Sequence, residues 1–435
     1  MFIKKFSLLI IVGTILFFMP NNVQATTEKL SGIDRYATSA AIALDGWKQS
    51  NYAILTSGDN FPDALTVSPL AKKYNAPILL TETNSIPTDT LSVIQQLKVT
   101  DIIIIGGIGV ISSSVENQLS SLGIKTTRLG GQDRYETSII VASQLNKVSE
   151  IAIVTGEDFA DALSISPIAA KNNMPIILVQ HNMIPDSVKE YIKLHEITKT
   201  YVIGVGSSLD ESLVSELPCV EQINGQDKYQ RNLAVIDKFK SEMDLDTIYL
   251  TTGENFVDGL SGSALSGVNC NPLLLVGENS TLQKEYLDNN LITDYNIVVL
   301  GGAVVEQAII SSFNIDYEEK TISDVTGIKS DDITKIVFYD GRGGKNKPIT
   351  VEDKQKVMEF MGYLDGYEIK IAKNPELGTG WIHEAVFYVN DKEVMNIFFV
   401  DPIIINNEYY EIIKGDIETL KFHEFLKSID PSYTE

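Results

Sequence analysis

Four short motifs recur in the same order three times along the chain, and this triplication constrains the fold more than any other feature. The first is Gly32-Ile33-Asp34-Arg35-Tyr36, repeated as Gly131-Gln132-Asp133-Arg134-Tyr135 and Gly225-Gln226-Asp227-Lys228-Tyr229. The second is Asp59-Asn60-Phe61-Pro62-Asp63-Ala64-Leu65, with Glu157-Asp158-Phe159-Ala160-Asp161-Ala162-Leu163 and Glu254-Asn255-Phe256-Val257-Asp258-Gly259-Leu260. Then follow Pro77-Ile78-Leu79-Leu80, Pro175-Ile176-Ile177-Leu178 and Pro272-Leu273-Leu274-Leu275, and finally Gly106-Gly107, Gly204-Val205-Gly206 and Gly301-Gly302. The aspartates of the first motif stand 99 and 94 residues apart. That period is longer than a solenoid repeat, so each copy is expected to be a domain with its own core.

Within a copy the apolar runs are short and continuous, as in Tyr52 to Leu55, Ile78 to Leu80 and Ile102 to Ile105. Strands buried on both faces read this way. Helical stretches from Tyr36 to Lys48, Pro62 to Tyr74, Thr88 to Leu97 and Ser112 to Leu122 connect them. Alternation of this kind predicts parallel strands covered by helices, an α/β module of Rossmann-like or flavodoxin-like type. No Gly/Ser- or Pro-rich spacer separates the copies, so they are expected to superpose and to pack in a closed triangle.

The runs Asp34 to Ser39, Asn60 to Leu65, Pro77 to Leu80 and Ile104 to Gly107, in register in three copies, resemble the cell wall binding repeat type 2 family. The resemblance covers roughly residues 28 to 316. It implies three Rossmann-like modules around a pseudo-threefold axis. It also implies non-covalent attachment of a clostridial, S-layer-associated surface protein to anionic wall polysaccharide, with S-layer proteins as further candidate partners. The third copy departs most from the pattern, with Lys228 for arginine, Val257 and Gly259 in the second motif, and Leu282 where Pro87 and Pro185 stand.

Lys4 and Lys5, the apolar run from Phe6 to Met19 and the small-residue stretch Val23-Gln24-Ala25 read as a secretory leader, with the mature chain starting near Thr26. No second long apolar stretch follows, so no membrane span is expected in the mature chain. The C-terminal sequence Asp430 to Glu435 lacks a sortase motif, apolar helix and basic tail, so retention is expected to come from the folded copies. A net charge of −23 makes nucleic acid a poor partner. The only two cysteines, Cys219 and Cys270, form no metal-binding spacing and are read as independent thiols. No cofactor is expected. The expected divisions are 1–25 for the leader, 26–128, 129–223 and 224–323 for the copies, and 324–435 for a small C-terminal α+β domain.

In that last region a strand from Lys335 to Tyr339 precedes a helix read as capped by Thr350 with Asp353 three residues on. Strands Glu368 to Ala372, Glu384 to Val389, Val394 to Val400 and Tyr409 to Ile413 follow, with Asn390-Asp391 and Asn406-Asn407 as hairpin turns. A last helix runs from Ile417 to Ile429. Gly341-Arg342-Gly343-Gly344-Lys345 lacks the spacing of a phosphate loop and is read as a flexible hairpin or loop.

The candidate polymer-binding residues are Arg35, Arg134 and Lys228, the tyrosines Tyr36, Tyr135 and Tyr229 beside them, and the carboxylates Asp63, Asp161 and Asp258. From Thr26 to Asp324 the chain has 20 Lys and Arg against 38 Asp and Glu, so an anionic polymer needs local cations. An arginine takes phosphate oxygens bidentately while a neighbouring tyrosine ring packs on a sugar face. Lysine lacks the fork, so the third site is expected to be weakest. The competing reading is structural: each cation pairs with Asp34, Asp133 or Asp227, or with a carboxylate of the Asp63 class across a copy boundary. The three carboxylates sit near the first turn of a helix, where N–H groups and the dipole favour negative charge. The alternative function is a secreted wall hydrolase using these carboxylates as acid/base or metal ligands. No Ser-His-Asp pattern recurs with His181, His195, His383 and His423, and Gly107-Ile108-Gly109 lacks the last glycine of a dinucleotide fingerprint.

Overall fold

A computed structural model describes residues 26–59, 62–277, 279–290, 295–301, 320–341, 346–372, 383–400, 402–414 and 419–434. The leader, Gly302 and residues 342–345 of the glycine-rich stretch lie outside them. Strand β1 (Thr26–Leu30) leads into the first copy: α1 (Arg35–Gly46), β2 (Tyr52–Ser57), a 3₁₀ turn at Pro62–Thr66, α2 (Ser68–Tyr74), β3 (Ile78–Thr81), α3 (Thr88–Gln96), β4 (Asp101–Ile105), α4 (Ser113–Ser121) and β5 (Lys125–Leu129). The second holds α5 (Arg134–Ala142), β6 (Glu150–Thr155), α6 (Ala160–Lys171), β7 (Ile176–Val179), α7 (Asp186–Leu194), β8 (Lys199–Ile203), a 3₁₀ helix at Glu211–Glu216 and β9 (Val220–Ile223). The third holds α8 (Lys228–Phe239), β10 (Thr247–Thr252), α9 (Val257–Asn269), β11 (Leu273–Val276), α10 (Thr281–Asn290) and β12 (Asn296–Leu300).

The first two sheets are parallel, with orders β3-β2-β4-β5 and β7-β6-β8-β9. The third is completed from the start of the chain: its order is β1-β12-β10-β11, with Thr26 opposite Asn296 and Leu30 opposite Leu300. The repeat therefore closes on itself. The apolar runs form strands because both faces are covered; Ile78, Leu79 and Leu80 are buried, as are their counterparts in β7 and β11.

Helices α2, α6 and α9 each touch the other two, which places them on the pseudo-threefold axis. Their composition suits that position. In α6 every residue from Ala160 to Ala170 is buried, and the run is mostly alanine, serine, leucine and isoleucine. Small residues let the helices approach closely; a Cβ on Gly267 of α9 would lie 2.8 Å from the Cβ of Ala170.

The C-terminal region adds β13 (Lys320–Thr321), α11 (Ile322–Thr326), β14 (Lys335–Asp340), β15 (Ile349–Val351), α12 (Lys354–Leu364), β16 (Glu368–Ile371), β17 (His383–Val389), β18 (Lys392–Phe399), β19 (Ile403–Ile405), β20 (Glu408–Lys414) and α13 (Thr419–Ile429). Its eight strands form one antiparallel sheet, β13-β16-β20-β19-β18-β17-β14-β15. Phe338 and Phe360, with Phe422 and Phe425 of α13, make an aromatic core beneath it. Both Asn-containing pairs are tight turns with positive φ at all four residues, as their sequence predicts. The helix cap is a correction. Thr350 lies in β15, whose flanking Ile349 and Val351 are buried against β14, and Asp353 itself caps α12 by accepting from the Lys356 N–H at 3.0 Å. The two cysteines are unbonded; Cys219 is exposed and Cys270 buried.

Candidate functional site

Each first-motif aspartate is an N-cap. Asp34 accepts from the N–H groups of Tyr36 and Ala37 at 2.9 and 2.8 Å, Asp133 from Glu136 at 2.8 Å and Asp227 from Gln230 at 2.8 Å. With its aspartate occupied, the neighbouring cation turns to the end of its own copy's first internal strand. Arg35 Nη1 donates to the Gly58 carbonyl and lies 3.4 Å from Asp59 Oδ1. Arg134 Nη1 donates to the Gly156 carbonyl at 2.5 Å, and Lys228 Nζ pairs with Glu254 Oε1 at 3.1 Å. The tyrosine ring lies over the same strand end. A Cβ on Gly58, Gly156 or Gly253 would fall 2.7, 2.8 or 2.5 Å from a ring carbon of Tyr36, Tyr135 or Tyr229. Glycine at these positions is the seat for the ring.

The second-motif carboxylates face the next copy. Asp63 accepts from the Thr137 hydroxyl and feels Arg134, both of the second copy; burial pushes its carboxyl above the ordinary range and these two contacts pull it back. Asp161 is fully buried and bonds Arg231 Nε of the third copy at 2.6 Å and Ser208 Oγ at 2.8 Å. Asp258 feels Arg35 and Lys29 of the first copy, and burial pushes it up to about 6. The three contacts run first to second, second to third and third to first, so they mark three equivalent seams. Gly106, Gly204 and Gly301, all with positive φ, admit these carboxylates: an added Cβ would lie 2.8, 3.1 and 2.1 Å from the respective aspartate Oδ2.

The structure thus gathers the candidate residues into seam clusters drawn from two copies each. Arg35 acts on Asp258 across one seam and Arg134 on Asp63 across another, while Tyr36 and Tyr135 lie over the strand ends of their own copies. At the second seam the partner of Asp161 is Arg231, which sequence reasoning missed. Its signal was present, because Arg231 stands in register with the buried Thr38 and Thr137. The carboxylates Asp59 and Glu254 beside the cations were also missed as partners. The Arg35 side chain keeps 39% of its surface exposed, and a guanidinium carries five N–H donors, so donors remain for an outside oxygen. Lys228 is 24% exposed and shares Glu254 with the Tyr229 hydroxyl.

Elsewhere, His383 and His423 meet in the C-terminal core. His383 Nε2 lies 2.5 Å from Tyr433 Oη, and its Nδ1 is 3.8 Å from Asp340 Oδ1. This buried group pins Tyr433 onto the sheet. Among the described residues no group of three or more His, Cys, Asp and Glu side chains is placed to hold a metal ion, and no helix is long and apolar enough to cross a membrane.

The family described as cell wall binding domain 2 (CWB2) matches residues 29–116, 128–214 and 222–310, one match to each copy. The chain belongs to this family. As a CWB2 protein it is 28% identical over 289 residues to N-acetylmuramoyl-L-alanine amidase LytC of Bacillus subtilis, covering 66% of this chain and 58% of that protein. It is 33% identical over 261 residues to the amidase enhancer of the same organism, covering 59% and 35%. The chain therefore spans less than two thirds of either relative. Among solved structures it resembles Cwp6 from Clostridium difficile, with TM-score 0.61, 25% identity and coverage of 78% of this chain and 57% of that one. Cwp8 from the same organism gives TM-score 0.61, 27% identity and coverage of 67% and 52%. CWB2 repeats imply a wall polymer as partner and a place at the cell wall or cell surface.

Proposed function

We propose that this chain is a secreted surface protein of a Gram-positive bacterium, anchored non-covalently by anionic wall polysaccharide bound at the three seams. The observation that carries the reading is that a partly exposed cation and a tyrosine ring meet the same strand end in every copy. At each seam the cation, Arg35, Arg134 or Lys228, supplies charge to a phosphate or carboxylate oxygen. Tyr36, Tyr135 or Tyr229 offers an apolar ring to the adjoining sugar. Asp63, Asp161 and Asp258 set the seam geometry from below. S-layer proteins are further candidate neighbours at the surface.

The reading is of a binder and not of an enzyme. Asp161 is completely buried and engaged by Arg231 and Ser208, which leaves it no access to a substrate proton. Asp63 and Asp258 occupy the same place, where burial and not a paired catalytic group raises their carboxyls. The arginines decide the matter experimentally. Arg35→Ala combined with Arg134→Ala is expected to weaken binding to purified walls at least tenfold with only a modest fall in melting temperature from the lost contacts to Gly58, Gly156, Asp63 and Asp258, and parent binding is expected to fall as salt rises. A double variant that binds walls as its parent does would make these residues scaffold.

A further inference from the structure

The third seam differs from the other two in how its sheet is assembled. Strands β5 and β9 sit in sheets built by the chain immediately before them, whereas β1 joins a sheet whose other strands lie at the far end of the repeat. It is an edge strand, held on one side by β12 alone. Bringing Thr26 to Asn296 closes the longest loop in the ring, so this is the junction with the largest entropic cost of closure.

The C-terminal sheet lies across that junction. It follows the third copy in the chain, its apolar core runs on from that copy's in one buried cluster that includes Ile297, Val299 and Ile322, and it grips β1 and the first copy through side chains. Lys29, on β1, pairs with Glu408 of β20; the two side chains are 9% and 8% exposed. Tyr410 Oη donates to Glu408 Oε2 at 2.9 Å and fixes the carboxylate. A second ion pair joins Lys392 Nζ to Asp89 Oδ1 of α3 at 2.6 Å. Between the two pairs lies a cleft of about 420 Å³, lined by Ile33 and Leu44 on the ring side and Val325, Val394 and Ile405 on the other.

We infer that the C-terminal domain is an intramolecular clamp that holds β1 in the third sheet and so keeps the ring of three copies closed. A buried ion pair adds little over an apolar contact, but a substitution that removes one partner leaves the other charge buried and unpaired, so the docked state is sensitive to the loss of either Lys29 or Glu408. The clamp acts at the seam that contains Arg35 and Asp258, and neither of the other two seams has such a bracket among the described residues.

Amide hydrogen exchange of the chain from Thr26 to Glu435 tests it. Glu408→Gln is expected to speed exchange of β1 and its partner β12 at least tenfold, with β6 and β8 of the second sheet unchanged. Equal exchange of β1 in variant and parent overturns the clamp, as does a uniform rise across all three sheets. Should β17 and β18 also lose protection, the variant has damaged its own domain, and Lys29→Met on the ring side decides. Faster exchange of β1 with β17 and β18 still protected supports the clamp, and unchanged β1 exchange overturns it.

Discussion

At the residue scale, one position of the repeat meets three different environments. Asp63 takes a hydroxyl from Thr137, Asp161 an arginine from the next copy, and Asp258 the more distant charges of Arg35 and Lys29. Desolvation is least offset at Asp258, whose carboxyl is pushed up to about 6. The folded state therefore binds this proton more tightly than an unfolded aspartate with a pKa of about 3.9, and stability falls as pH rises between those two values. Asp258→Asn, which mimics the protonated form, is expected to stabilise the protein by on the order of 2 kcal/mol at pH 7 and by only about 0.5 kcal/mol near pH 4, where the unfolded aspartate is half ionised. Denaturant melts of the two proteins at both pH values check this; a variant less stable than its parent at pH 7 would refute the burial argument. The residues of these seams were partly legible in the sequence. Asp34, Asp133 and Asp227 could be placed beside a helix start, but whether they pair with the adjacent cation or cap the helix is a question of backbone direction. Arg231 was hidden because a repeat is read by what recurs, and Arg231 is where the recurrence fails.

At the element scale, buried parallel strands announced themselves as short apolar runs, and the helices between them followed. The strand β1 did not, because Thr26-Thr27-Glu28-Lys29-Leu30 has no apolar run and pairs on one side only. The start of α12 was misplaced for a related reason. A Thr and an Asp three residues apart suit a cap equally well, and only the burial of Ile349 and Val351 against β14 makes the first of them strand. A capping box of this type does occur at Thr321 and Asp324, opening α11. The central helices yield a paired prediction. Gly267 of α9 faces the Ala170 Cβ, which cannot rotate away, so Gly267→Ala is expected to cost about 1–3 kcal/mol despite the better helix former. A Cβ on Gly362 of α12 would meet nothing within 4 Å, so Gly362→Ala is expected to gain about 0.5–1 kcal/mol. A thermal melt of Gly267→Ala that rises as that of Gly362→Ala is expected to do would show that the axial helices are packed less tightly than these distances indicate.

At the scale of the whole molecule, threefold repetition and circular closure have one consequence for function. On the proposed reading the three copies present a cation and a ring at equivalent places on one closed ring, so a polymer that engages several of them gains by effective concentration and not only by the strength of each contact. On that reading wall retention is a property of the closed ring, and the chain's net charge of −23 discourages general association with other anions. The triplication and the α/β class are legible in the sequence, because both are carried by motifs and apolar runs that recur locally. The closure through β1 and the docking of the C-terminal sheet are not, since both depend on pairings between opposite ends of the chain. The most direct test of the account is binding of the chain from Thr26 to Glu435 to purified Gram-positive walls before and after chemical removal of their anionic polysaccharide. At least a tenfold loss of bound protein on the stripped walls is expected; equal retention on stripped and untreated walls would contradict it.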